Sequence, residues 1–160
     1  MQVKHIMQQP VVTVGEETSL ADAAETRLFN HIGGVPVVNA EGRLVGIITE
    51  SDFTAKEKGI PFSTFRAPQV LGEWLGEQRH EDIYRAARKR QAREIMNRQV
   101  VTVSENDEIE TVVNLMLRHD INRVPVVRDG VPVGIVARHD LLLLIWTNDL
   151  EEEDQSFRSA

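Results

Sequence analysis

The sequence predicts an α+β protein made of two copies of one strand–helix–strand–strand–helix unit, and three observations predict it. First, Lys4-His5-Ile6-Met7, Val12-Thr13-Val14 and Ile32-Gly33-Gly34-Val35-Pro36-Val37-Val38 return as Arg93-Glu94-Ile95-Met96, Val101-Thr102-Val103 and Ile121-Asn122-Arg123-Val124-Pro125-Val126-Val127. Met7 to Met96 and Pro36 to Pro125 both span 89 positions. Second, short β-branched runs alternate in each copy with a segment of helical period. Third, the offset drops to 88 for Gly46 to Gly134 and Asp52 to Asp140, so the copies differ by one residue in the turn between two strands. An internal repeat is read first, because each copy is a unit that usually needs the other to bury its core. Two such units meeting face to face also create paired clefts, the places where ligands bind.

The elements follow in order. Val11-Val12-Thr13-Val14 is a short β-branched strand. Thr18 or Ser19 then supplies an N-cap for a helix over Leu20–Phe29, whose positions 20, 24 and 28 share one face. Gly33-Gly34 is read as its stop. Val35–Val38 and Leu44–Ile48 are two strands joined by Asn39-Ala40-Glu41-Gly42; in the second copy this turn shortens to Arg128-Asp129-Gly130, a tight-hairpin signal. A helix follows each hairpin, from about Ser51 and from about His139. The second copy's first helix runs from Asp107 to about His119, with Ile109, Val112, Val113, Met116 and Leu117 apolar. Its last helix holds Leu141 to Trp146, apolar all round, as in a deeply buried helix or a subunit interface.

Residues 54–91 have no counterpart in the repeat. Pro61, Pro68 and Gly72 mark a loop, and a helical stretch after Gly76 runs into Met96. Arg85, Arg88, Lys89, Arg90 and Arg93 make this stretch basic; its plain reading is a solvated face balancing an acidic remainder. After Leu150 the tail opens Glu151-Glu152-Glu153-Asp154 and reads as disordered. The expected organisation is repeat 1 over 1–53, an inter-repeat linker with a basic helix over 54–91, repeat 2 over 92–148 and an acidic tail over 149–160.

Bulk composition narrows the function classes. Of 160 residues 41% are hydrophobic and 27% charged, ordinary values for a chain that builds a core. Cysteine is absent, which removes thiol chemistry, disulfides and thiolate metal sites and is compatible with a reducing cytosol. The N-terminus lacks the apolar stretch of a signal peptide. The longest strictly apolar run, 141–146, falls far short of the roughly 20 residues that span a bilayer. A soluble, cytoplasmic protein is expected. The net charge of −7 opposes non-specific nucleic-acid binding. No phosphate-binding loop, dinucleotide fingerprint, zinc-protease or calcium-loop pattern or nucleophile elbow occurs. His5, His31, His80, His119 and His139 have no metal-ligand spacing, so neither catalysis nor a metal site is expected.

The chemistry-bearing segment is Gly46-Ile47-Ile48-Thr49-Glu50-Ser51-Asp52, where two hydroxyls and a carboxylate open a helix at a strand end. The plain reading is helix capping by Thr49 or Ser51, with Asp52 favouring the positive end. The ligand reading uses the same physics: amides and a hydroxyl cradle phosphate, and a carboxylate one turn on accepts hydrogen bonds from a ribose diol.

The whole pattern, from the leading Met through Val-Thr-Val and Val-Pro-Val-Val to Gly-Ile-Ile-Thr-x-x-Asp, resembles the cystathionine-β-synthase (CBS) domain over residues 3–53 and 92–145. Two in tandem resemble a CBS pair, or Bateman module. The resemblance implies repeats packed about a pseudo-twofold axis with adenosine compounds between them. It implies that Thr49 meets phosphate, with Ser51 among the ligand-binding residues, that Asp52 meets ribose, and that Val12, Thr13, Ile32, Gly33, Val35 and Pro36 hold the base. The second copy's counterparts are Thr102, Ile121, Asn122, Arg123, Val124, Pro125, Arg138, His139 and Asp140. There Ala137 replaces the hydroxyl residue, so that site is either degenerate or takes a more anionic ligand through Arg123 and Arg138. The resemblance further implies a non-catalytic, energy-sensing regulator without a catalytic cofactor. Its regulatory ligand would be AMP, ADP or ATP, with or without magnesium, or less readily S-adenosylmethionine. A homodimer that signals to a protein partner in trans is expected. An empty-cleft scaffold and nucleic-acid binding through 85–98 are the rival readings.

Overall fold

Ser19 opens the first helix as its hydroxyl chemistry dictates. Its Oγ accepts the Asp22 amide at 3.1 Å and donates to Asp22 Oδ2 at 2.7 Å, capping α1 (Leu20–Phe29). The computed structural model describes residues 1–54, 69–70, 73–74, 85–142 and 144. The stop of α1 is not the glycine pair. Asn30 is the C-cap and His31 takes the left-handed conformation (φ 53°), so the chain has left the helix before Gly33, and Gly34 opens the next strand. The buried side of α1 is Leu20 and Ala23, with Ala24 partly buried beside them; Leu28 is 67% exposed and Phe29 84%.

Of the predicted strand 11–14 only its end pairs: β1 (Val14–Gly15) lies parallel to β2 (Gly34–Val38), Val14 opposite Val37 and Gly15 opposite Val38. β2 is antiparallel to β3 (Leu44–Thr49), giving the order β1-β2-β3. Asn39 Oδ1 accepts the amides of Glu41 and Arg43 to fold the turn, and Gly42 sits at φ 76°. α2 (Glu50–Thr54) follows without a break.

In the segment without a repeat counterpart, β4 (Gln69–Val70) pairs antiparallel with β5 (Glu73–Trp74). Pro61, Pro68, Gly72 and the start of the stretch after Gly76 lie outside the described residues. Its described end is not one continuous helix. Residues 85–88 are helical, Gln91 is extended (φ −94°, ψ 152°), and α3 (Ala92–Ile95) starts afresh. Gln91 and Glu94 cap that start reciprocally, the Gln91 amide donating to Glu94 Oε2 at 2.6 Å.

In the second copy α4 (Ile109–His119) buries Ile109, Val112 and Met116, leaving Leu117 70% exposed. It begins two residues after Asp107, whose carboxylate instead folds the preceding loop by accepting the Ser104 amide at 2.8 Å. Val101–Val103 forms no strand, only a single parallel bridge from Val103 to Val126. β6 (Arg123–Arg128) and β7 (Val131–Ala137) form the hairpin. Asp129 (φ 52°) and Gly130 (φ 80°) are both left-handed, the turn whose twist matches its strands. Arg128 grips Glu105 with Nε at 2.8 Å and Nη2 at 2.6 Å, holding that carboxyl below its ordinary pKa. Residues 138–142 are helical, with Leu141 against the core and Leu142 exposed. Leu143, Ile145, Trp146 and the acidic tail lie outside the described residues.

The chain divides into two compact units, residues Val12–Val100 and residues Met1–Val11 with Val101–Ala160. Each unit therefore holds the leading segment of the other copy. Val3, on a 3₁₀ turn (Val3–His5), is fully buried among Val103, Val112, Met116, Val124, Val126 and Val136. Ile95 and Met96 join the core of Val14, Leu20, Val35, Val37 and Ile48. Paired backbone hydrogen bonds link Gln8 to Ile135 and Asn97 to Ile47. One residue earlier, each methionine lies on a glycine: a Cβ at Gly46 would collide with Met96 Sδ and stand 2.7 Å from its Cγ, and one at Gly134 would stand 2.7 Å from Met7 Sδ.

Gly46→Ala should therefore lower stability by about 1–3 kcal/mol, the cost of forcing a packed interior apart. In a Gly46→Ala background, urea melts should show Met96→Ala costing less than it does alone; equal costs would mean the two do not press on one another.

Candidate functional site

In the unit Val12–Val100 the pairing of β2 with β3 gathers the predicted first-copy residues at one end of the hairpin. Gly34 lies opposite Thr49, Val35 opposite Ile48 and Pro36 opposite Ile47. The parallel register of Val14 with Val37 directs Val12 and Thr13, both half-buried, towards the same end of β2. Ile32 is half-buried against the core and donates its amide to Arg27 O at 3.1 Å. The sheet and α2 thus bring Val12, Thr13, Ile32, Gly33, Val35, Pro36, Thr49, Ser51 and Asp52 into one neighbourhood.

Thr49, Ser51 and Asp52 are hydrogen-bonded to one another. Asp52 Oδ2 accepts the Thr49 amide at 2.8 Å and the Thr49 hydroxyl at 2.9 Å, while Thr49 Oγ1 and Ser51 Oγ lie 2.9 Å apart. The carboxylate at the third position of α2 reaches back to the residue before the helix, as half of a capping box does. The predicted cradle of backbone amides thereby loses its first member, because the Thr49 N–H is already engaged. Arg27 of α1 adds an ion pair to Glu50, Nη2 to Oε2 at 2.9 Å, and ties the two helices together beside the site. Residues 23 apart carry no local sequence signal for such a contact.

The other unit repeats the frame with different side chains. Arg123 lies opposite Ala137, Val124 opposite Val136 and Pro125 opposite Ile135. The Arg138 amide donates to Asn122 O at 2.8 Å, and the Val103 amide donates to Pro125 O at 3.2 Å, which brings the preceding Thr102 to this end. Ile121 is half-buried against the core. Asp140 repeats the backward reach, Oδ2 accepting the Ala137 amide at 2.7 Å. Unlike Asp52, it is only 6% exposed and meets Gln8, whose Nε2 donates to Oδ1 at 2.9 Å; His139 Nε2 stands 3.1 Å from the same oxygen. Gln8, 132 positions away, is the site residue that reading the sequence missed. Arg138 and His139 are exposed and Arg123 is half-buried. Among the described residues no group of three His, Cys, Asp or Glu is placed to hold a metal, and no helix is long and apolar enough to cross a membrane.

Both hairpins also bulge at the same place, between Val37 and Val38 and between Val126 and Val127. One unit has been used twice, and the CBS domain description matches it twice, over residues 3–58 and 92–147. The chain belongs to the CBS-domain family. It is 35% identical over 153 residues to an uncharacterized protein of Methanocaldococcus jannaschii, covering 89% of each chain. Of three further curated relatives it spans less than half the length. Among solved structures it resembles the CBS domain of a CBS domain-containing membrane protein from Sphaerobacter thermophilus (43% identity, 90% of this chain and 87% of that one, TM-score 0.73). It also resembles the CBS domain pair of protein MJ0100 in complex with 5′-methylthioadenosine and S-adenosyl-L-methionine (28% identity, 92% and 98% covered, TM-score 0.70).

Asp52→Ala removes the acceptor of both Thr49 donors in this CBS pair. The ligand-free protein should lose about 0.5–2 kcal/mol, the usual worth of a helix cap. At roughly 2–4 °C per kcal/mol for a chain of this size, its melting midpoint should fall clearly below that of the exposed-site control Glu25→Ala.

Proposed function

We propose that this CBS pair is a non-catalytic regulatory module that binds an adenosine-type ligand at the first-copy site and transmits the event to a protein partner by a change of conformation. The observation that carries the reading is the convergence of Thr49, Ser51 and Asp52 with Gly33–Pro36 at one hairpin end. A related CBS pair bound to 5′-methylthioadenosine and S-adenosylmethionine supports it. On this reading Asp52 exchanges hydrogen bonds within the cap for hydrogen bonds to the ribose diol, and the Thr49 and Ser51 hydroxyls turn to phosphate. Val12, Thr13, Ile32, Val35 and Pro36 supply apolar contact and backbone groups for the base. AMP, ADP and ATP, with magnesium carried by the nucleotide, are the first candidates, and S-adenosylmethionine is the next. A ligand shifts the module only through unequal affinity for its two states.

A thermal-shift series with these compounds tests the reading. A ligand at 100 times its dissociation constant adds about 2.7 kcal/mol, or roughly 5–11 °C here. Asp52→Ala, assayed well below its own melting midpoint, should bind about 10–150-fold more weakly, the equivalent of about 1.5–3 kcal/mol for hydrogen bonds to a charged group. No shift with any of them at millimolar concentration would remove the adenosine ligand from the proposal.

The module is further proposed to be a homodimer. Leu28 and Leu117 occupy equivalent positions of the two copies, and both stand outside their cores, with Phe29 beside Leu28. Light scattering should give a mass near twice the 18.1 kDa of one chain. Phe29→Glu should shift it towards the single-chain value.

A further inference from the structure

Asp140 is the one buried charged side chain among the described residues. A buried carboxylate is tolerated only where hydrogen bonds replace the water it has lost. Here both oxygens have partners: Oδ2 takes the Ala137 amide, and Oδ1 takes the Gln8 carboxamide with His139 Nε2 beside it. Gln8 is held rigidly for the task. Its backbone exchanges two hydrogen bonds with Ile135, at 2.9 and 3.2 Å, and its neighbour Met7 is seated on Gly134.

The first copy does this differently. Asn97 stands where Gln8 does, 89 positions on, and makes the same paired backbone bonds, to Ile47. Its side chain is one methylene shorter, and its Oδ1 folds back to accept the Gln99 amide at 3.0 Å. Asp52 is correspondingly half-buried rather than buried, and its partner hydroxyl, Thr49, is replaced by Ala137 at the second site.

We infer that Gln8 commits Asp140 to the fold, so that the second copy's carboxylate is a clasp fastening residues 2–8 to the β6–β7 hairpin, and the chain takes a single adenosine-type ligand, at Asp52. The one-ligand part rests on the reading given under Proposed function. The clasp itself stands without it. To contact a ribose diol, Asp140, itself only 6% exposed, must first surrender the Gln8 carboxamide. Asp52 is half-buried, and the hydrogen bonds described for it come from its near neighbour Thr49, not from the leading segment.

Two measurements on the full chain separate the parts. The first needs no ligand. Gln8→Glu sets a second carboxylate against Asp140, and its melting midpoint should fall further than that of Gln8→Ala. Adding Asp140→Asn to Gln8→Glu should raise the midpoint again, because the amide can donate to the new carboxylate. Gln8→Glu melting no lower than Gln8→Ala, or the absence of rescue, overturns the clasp. The second is calorimetric titration with AMP and, in parallel, S-adenosylmethionine. One equivalent should bind per chain. Asp140→Asn should leave the dissociation constant within about twofold, and Asp52→Asn should raise it tenfold or more. Two equivalents per chain, or equal losses from the two variants, overturn the assignment of a single site. Binding of neither compound would count against the proposed function while the rescue still decides the clasp.

Discussion

The contact on which the rest of this structure depends is a methionine laid on a glycine. Met96 covers Gly46 and Met7 covers Gly134, each so closely that even a methyl group on the glycine has no room. Beside each methionine a pair of backbone hydrogen bonds fixes the register of the incoming segment on its hairpin. Packed interiors respond to a single added methylene. The glycine is thus a steric requirement, and the flexible thioether is suited to the irregular gap above it. Because each methionine belongs by sequence to one copy and by packing to the other, this contact builds each unit from parts of both repeats.

Upon that frame the same local device appears twice and has been put to different uses. In both copies the carboxylate at the third residue after the hairpin turns back to the amide that closes the strand. This geometry is a helix start as much as it is a ligand site, and a nucleotide would have to compete with it. What distinguishes the copies is the burial of the carboxylate and the residue before the helix. Thr49 gives the first group a hydroxyl on the oxygen that also takes the amide, whereas Ala137 gives the second none and Gln8 bonds the other oxygen.

Much of this was legible in the sequence, for identifiable reasons. The Asp129-Gly130 turn, the Ser19 cap and the two Val-Pro-Val-Val strands depend on neighbours within a few residues, and short-range chemistry is written in short-range patterns. The pairing of Thr49 with Gly34 was not read from the sequence; the register of the hairpin supplies it. Other features depend on partners that no local pattern names. Leu28 has the spacing of a core residue and lies outside the core; Gly33-Gly34 has the composition of a stop and opens a strand instead. The strand predicted over 11–14 shrank to Val14–Gly15, because only these two residues find a partner in β2. The exchange of leading segments was invisible, since the repeat aligns each with its own copy, and Gln8 could not be linked to Asp140 across 132 positions.

The division of the chain also sets an order of assembly during synthesis. Residues Val12–Val100 are contiguous and can complete their unit as soon as Met96 and Asn97 have left the ribosome. The first eleven residues emerge before them and have nothing to join. At roughly 5–20 residues per second, the β6–β7 hairpin that receives Val3 and Met7 is finished on the order of ten seconds later. Through that interval the nascent chain carries an unpaired edge segment with a valine and a methionine open to other chains. In that waiting segment Lys4, His5, Gln8 and Gln9 set polar side chains among Val3, Ile6 and Met7.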